Sequence, residues 1–353
     1  MSNRTHAEAR RACRTETSIP LVLAPRQPVC EPDDDTRLGA RSVSRCLLGA
    51  RFRFVSDSHE LLRLVTAAYD GLPQYHWPDA PEFLIQLHLL PRRRRTSGEP
   101  PPLQTQEMPG ALCGVIDASN YVLAMPARER ALVVASGDML DHPQHLRQEL
   151  IEFAVFILAA RGQGLVPLHA ACIGAGGRGV LLLGDSGAGK STLALHAFLH
   201  GYELLSEDAV FVRPENMLAT GVANYARVRT DASLFVDSEN IARWIRGSPV
   251  IRRNSGVRKF EADLRHGPGR LAATPLRLCA IVFVSKEPRP GSQRMLQPLH
   301  ADDAVSILSA EQTYAATQPG WDCFLQQMKQ LDSYRLTRGD PAAALAELAR
   351  LLV

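Results

Sequence analysis

Apolar and polar positions change pattern several times along the 353 residues. Residues 1–48 mix arginine, proline, acid and serine with no periodicity, which predicts a disordered extension. From Arg51 the alternation of Phe52, Phe54 and Val55 with polar neighbours predicts a strand. Leu61, Leu62, Leu64, Val65 and Ala68 then form a stripe that predicts a short helix over residues 60–69. Strand-like runs follow at 82–90, 111–116, 121–125 and 131–135. Together these predict a small α+β domain over residues 49–143.

A second stripe, Leu146, Leu150, Phe153, Ala154, Ile157 and Leu158, predicts a helix over 145–161 that opens a second domain, residues 144–353. The apolar run 166–173 is followed by the turn Gly174-Ala175-Gly176-Gly177-Arg178-Gly179 and the run Val180-Leu181-Leu182-Leu183. Two strands joined so closely are antiparallel neighbours, so the sheet they enter is mixed. Beyond it the pattern predicts a helix over 191–199, strands at 202–205 and 210–212, and a loop-rich, arginine-rich stretch over 214–275 with a short helix at 238–246. A buried strand at 278–284, helices at 302–308 and 321–331, a strand at 334–336 and a last helix opened by Asp340-Pro341 complete the chain. The fold class is α/β, a mixed sheet with flanking helices plus the small α+β N-terminal domain, with no internal repeat.

Composition narrows the function classes. Hydrophobic residues at 45% and charged residues at 22% are ordinary for a globular chain. A net charge of +3 gives no argument for nucleic acid as a partner. The longest apolar stretch, 151–160, is too short to span a membrane. Seven scattered cysteines without a C-x-x-C pair suit a reducing cytoplasm better than a disulfide frame. The arginine-rich start lacks the apolar stretch of a signal peptide. His196 and His200 are one helical turn apart, but no glutamate lies between them and no third ligand is evident, so they predict no zinc site.

The chemistry-bearing segment is Gly184-Asp185-Ser186-Gly187-Ala188-Gly189-Lys190-Ser191-Thr192, which fits the phosphate-loop pattern G-x-x-x-x-G-K-[ST] between a strand and a helix. Basic residues in this chain are nearly all arginine, and only Lys190, Lys259, Lys286 and Lys329 are lysines. A lysine kept at this position points to a need for a compact ammonium rather than a planar fork. The glycines let backbone N–H groups turn toward an anion at the start of the helix. Lys190 would reach the outer phosphates of a nucleotide, and the Ser191 hydroxyl would face Mg²⁺.

A metal-holding carboxylate is not supplied by the buried strand that follows, since Cys279-Ala280-Ile281-Val282-Phe283-Val284 runs into Ser285. The nearest acids at the end of a strand are Glu207 and Asp208. Two adjacent acids on a bend can divide labour, one on the metal and one taking the proton of an attacking hydroxyl.

This text resembles the HPr kinase/phosphorylase superfamily, and in layout the HPr-kinase-related proteins of proteobacteria. The matching residues are Leu168-His169-Ala170-Ala171, the hairpin into Gly184 to Ser191, and Gly201-Tyr202-Glu203-Leu204-Leu205-Ser206-Glu207-Asp208-Ala209-Val210. The resemblance implies a P-loop, HPr-kinase-like mixed sheet. It implies His169 beside the phosphates, Glu207 at the position of the base, and Asp208 as its partner, with Ser191 and Asp208 on the metal. The family usually carries aspartate where this chain has Glu207. It also implies a basic loop that engages the transferred group, for which 252–260, around Gly256, is the candidate.

The expected activity is an ATP- and Mg²⁺-dependent kinase acting on a hydroxyl, foremost a serine of a small protein or peptide. A small-molecule kinase and a nucleotide-binding module without turnover remain open. The second signature associated with phosphorolysis is not found, and related enzymes imply a homo-oligomer.

Overall fold

Alternating burial along the strand β2 (Ala50–Ser56), with Phe52 and Phe54 inside and Arg51 and Arg53 outside, fixes the inner face of a first sheet. The computed structural model describes residues 40–92, 98–229, 238–252, 258–288 and 294–353, and Ala40–Val353 forms one compact unit. Strand β2 pairs antiparallel with β1 (Arg41–Leu47) and parallel with β3 (Glu82–Leu90). The sheet continues through β7 (Arg130–Ser136), β6 (Asn120–Met125) and β5 (Ala111–Asp117) to β4 (Gln104–Met108) at its far edge. A helix over His59–Tyr69, capped by Ser58, whose hydroxyl accepts the Leu61 N–H at 3.3 Å, buries the predicted leucine–valine stripe against this sheet.

Two departures from the expected pattern concern this sheet. Strand β1 lies inside the segment 1–48 that predicted disorder, while residues 1–39 of that segment lie outside the described residues. The strand is an edge whose side chains are mostly outside the core, so it carries no hydrophobic alternation. The second departure is the helical segment that runs through Pro143–His145, Leu146–Glu152, Phe153–Ile157 and Leu158–Gly162. Its second and fourth stretches are wound as π-helix. It packs Leu146, Leu150, Ala154 and Leu158 into the core that holds Phe52, Phe54 and Phe83.

The second sheet runs in the order β17 (Arg270–Leu271), β11 (Glu203–Ser206), β9 (Ala171–Ala175), β10 (Arg178–Leu183) and β18 (Leu276–Pro288). The far side of β18 is shared by β13 (Leu218–Gly221) and β20 (Asp332–Arg338). Beyond β13 lie β12 (Ala209–Arg213) and β8 (Val166–His169), and β19 (Leu296–Pro298) pairs with β20. The hairpin β9–β10 is antiparallel and β10–β18 parallel, so the sheet is mixed.

Alternate residues of β10 serve opposite faces. Val180 and Leu182 meet the helices Lys190–Leu199 and Pro341–Leu351, while Leu181 and Leu183 share a core with the helices Ala301–Glu311 and Trp321–Met328. Burial on both faces explains why this strand reads as an unbroken apolar run.

The single strand expected over 166–173 is two. Strand β8 leaves to pair with β12, β9 pairs with β10 and β11, and the chain kinks at Ala170, whose N–H donates to the Asp208 carbonyl at 3.2 Å. The loop expected over 214–275 also carries structure. Besides β13 it holds a three-stranded sheet of β14 (Tyr225–Arg229), β16 (Arg258–Asp263) and β15 (Val250–Arg252), in the order β14-β16-β15. These strands are short and carry many charged residues, so an apolar-run criterion passes over them.

Candidate functional site

Strand β10 ends at Leu183, and the loop that follows turns directly into the helix Lys190–Leu199. Gly184 has φ +126°, and a Cβ there would sit 2.3 Å from the Val284 carbonyl oxygen, so only glycine lets the loop leave the sheet beside β18. Gly189, with φ +111°, is the last residue before the helix, leaving the first-turn N–H groups directed at the loop's hollow.

Lys190 is 6% exposed, and its ammonium donates to the Gly184 carbonyl at 2.5 Å and the Asp185 carbonyl at 3.2 Å. Burial lowers its pKa, against the pull of the Asp208, Glu311, Asp185 and Glu207 carboxylates. The cation is therefore held inside the hollow by its own loop, where incoming phosphate oxygens would compete with carbonyls rather than with bulk water.

The acids reach this hollow at a break between two strands that run in the same sense. The link between β11 and β12 consists of Glu207 and Asp208, and Ser206 closes the turn by accepting the Ala209 N–H at 3.3 Å. Glu207 is buried and lines the same cleft as Ser191. Burial raises its pKa, the Asp208 charge raises it further, and Ser191, Arg227 and Lys259 resist. Asp208 is half-exposed, with His169 Nδ1 3.2 Å from one oxygen and Arg227 Nη1 3.1 Å from the other. His169 is set by its place opposite Ala209 in the β8–β12 pair. Gln312 fixes its backbone by accepting its N–H at 2.8 Å and donating to its carbonyl at 3.3 Å.

One cleft is lined by Ser186, Gly187, Gly189, Lys190, Ser191 and Thr192 of the loop and helix start, together with His169 and Glu207. Three loop members have other roles. Gly184 packs on β18, Ala188 enters the core beneath the helix, and the Asp185 carboxylate turns to Lys286 Nζ at 3.3 Å. Asp208 opens on a different cleft, which His169 also lines. Ser191 and Glu207 thus share one cleft, and Asp208 lies beside His169 on the other.

Arg227 and Arg229, which the sequence pattern did not single out, line the Lys190 cleft with Lys259. Arg229 and Lys259 are cross-strand partners on β14 and β16. A signal was present, since Tyr225-Ala226-Arg227-Val228-Arg229 alternates with period two, burying Ala226 and Val228 and leaving the arginines on the other face. Of the basic loop candidate, Lys259 reaches the cleft, and residues 253–257 lie outside the described residues.

Among the described residues no group of three or more His, Cys, Asp or Glu is placed to hold a metal by itself. A Mg²⁺ beside nucleotide phosphates needs only one or two protein oxygens, and Ser191 and Glu207, which line one cleft, are hard oxygen donors of that kind. His196 and His200 stack at 4.1 Å between ring centroids.

The buried acid should leave a mark on stability. A carboxyl whose folded pKa lies above its ordinary value of 4.5 keeps its proton longer in the native chain, so stability falls as pH rises through the interval between the two values. Glu207→Gln removes that loss. Thermal melts at pH 7 should show the variant a few degrees above the parent, and the two should converge below pH 4.5.

No family model matches the chain, and no curated protein matches it. Among solved structures the chain is similar to the Hpr(Ser) kinase/phosphatase from Coxiella burnetii, with 14% identity and a TM-score of 0.26. That match covers 52% of this chain and 90% of the other. No helix of the described residues is long and apolar enough to cross a membrane.

Proposed function

We propose that the chain binds ATP with Mg²⁺ in the phosphate-loop cleft and transfers the γ-phosphoryl group to a hydroxyl. The observation that carries this reading is the meeting of Lys190, Ser191 and the Glu207–Asp208 turn at one place, with His169 bridging the two clefts on which the acids open.

Each residue then has a physical role. The loop N–H groups and Lys190 hold the triphosphate, and Arg229 and Lys259 add positive charge across the cleft from the loop. Ser191 and Glu207 hold Mg²⁺, which when bound screens the phosphate charge. Asp208 is the more accessible acid and accepts the acceptor's hydroxyl proton, with His169 and Arg227 fixing its orientation. As the acceptor oxygen bonds to the γ-phosphorus, the bond from that phosphorus to the β-bridging oxygen breaks, and ADP leaves with the electron pair.

Asp208→Asn is expected to lower phosphoryl transfer by about 10²-fold or more while leaving the MgATP dissociation constant within a few-fold of the parent. Single-turnover transfer from γ-labelled ATP and equilibrium dialysis measure the two separately. A variant that transfers at the parental rate removes Asp208 from the chemistry, and a parent chain that does not bind MgATP ends the reading altogether.

A further inference from the structure

Adjacent residues of one turn look into different spaces. Glu207 lines the nucleotide cleft, while Asp208 lines a second cleft that runs toward the first sheet. The floor of this second cleft is apolar, made by Leu112 of β5, Phe153 and Phe156 of the helical segment, and Phe211 of β12. Along one side lies β4, whose five residues are all exposed, which pairs with β5 and ends the sheet among the described residues. Thr105 and Glu107, two apart and so on one face of β4, line the cleft.

The charges are lopsided. Glu107, Glu149, Asp208 and Glu311 line the cleft against Arg161 and His169. Arg161 is paired with Glu107 at 2.8 Å and Arg227 with Asp208 at 3.1 Å, while Glu149 and Glu311 line the cleft with no ion pair among the described residues. Tyr314, 42% exposed, stands at the rim, where its ring can receive a cation.

Resting on the phosphoryl-transfer reading above, we propose that this cleft is the acceptor site and that the acceptor is an extended peptide segment bearing a serine flanked by apolar and basic residues. Laid along β4, such a segment continues the first sheet through backbone hydrogen bonds, and its alternate side chains fall on the face of Thr105 and Glu107, into the cleft. The apolar side chain covers the phenylalanine floor, the basic side chains face Glu149 and Glu311, and the serine hydroxyl at the cleft's inner end meets Asp208. The two substrates thus approach the acidic turn from opposite sides, as transfer between them demands.

The test uses the full chain and four probes. Three are short synthetic peptides with one central serine beside leucine, flanked by arginine, alanine or glutamate, and the fourth is free L-serine. The arginine-flanked peptide should be phosphorylated with a kcat/KM about tenfold or more above the glutamate-flanked one. Glu107→Gln with Glu149→Gln should narrow that gap by raising KM for the arginine peptide, with the MgATP dissociation constant unchanged. Hydrogen exchange with a non-hydrolysable ATP analogue and the arginine peptide should show new protection over residues 104–108.

Equal transfer to acidic and basic peptides overturns the inference, as does transfer to free L-serine alone. So does protection of 104–108 that is already complete without peptide. If the parent binds MgATP but phosphorylates none of the peptides, the peptide acceptor falls and the nucleotide site stands. If it does not bind MgATP, both fall.

Discussion

Replacing Arg147 with alanine should cost about 3–5 kcal/mol of folding stability, seen as a lower urea midpoint with an unchanged slope. Arg147 is buried on the helical segment, with Nη1 2.7 Å from Glu152 and Nη2 2.5 Å from Glu261 of β16, and its guanidinium lies 4.3 Å from the centre of the Tyr225 ring. Gln148 also donates to Glu261, at 2.8 Å, and Asn224 to Glu152, at 3.1 Å. One cation thus serves two buried carboxylates, and its truncation leaves both without their compensating charge. That residual penalty outweighs the pair's own attraction. Adding Glu152→Gln and Glu261→Gln to the alanine variant should recover a large part of the loss. If the single substitution costs less than about 1 kcal/mol, the cluster is solvated and its role is overstated. Because Glu261 lies two residues from Lys259 on β16, the same cluster sets the register in which Lys259 and its partner Arg229 face the phosphate loop.

Lys190→Ala should produce the largest functional effect, weakening MgATP binding by about 10²-fold and reducing phosphoryl transfer at least as much. In the parent the ammonium already sits among the loop carbonyls, so no ordering cost remains when phosphate arrives. Lys190→Arg should not restore function, because a planar fork cannot replace a point charge enclosed at 6% exposure. Urea midpoints should stay near the parental value, which separates this variant from Arg147→Ala. Unchanged MgATP affinity in Lys190→Ala would remove the phosphate loop from the account.

What could be read from the chain was local. The segment from Gly184 to Thr192 is contiguous, its glycines at 184, 187 and 189 take positive φ, and the strand and helix on either side carry clear periodicities. The turn Glu207-Asp208 was likewise visible as the end of an apolar run. The edges were not legible. β1 and β4 lack the apolar alternation of a strand with one buried face, so nothing in their patterns separates them from loops. The arginines of β14 reach the cleft through pairing with β16, much further along the chain, and no periodicity within one segment reports such a partner. The division of the two acids between two clefts was equally hidden, since it depends on the kink at Ala170 and on which strand each side of that kink joins.

The π-wound stretch Leu146–Glu152 holds Arg147 and Glu152, five positions apart, within bonding distance. A tighter α-turn would bring a residue's third and fourth successors alongside it, not the fifth. The wide coil can therefore be regarded as one surplus residue kept in the chain. Excising a single residue between these two would give a more regular rod and a nearly unaltered composition, yet it would swing the guanidinium off its glutamate and uncouple the first sheet from the strands that face the loop.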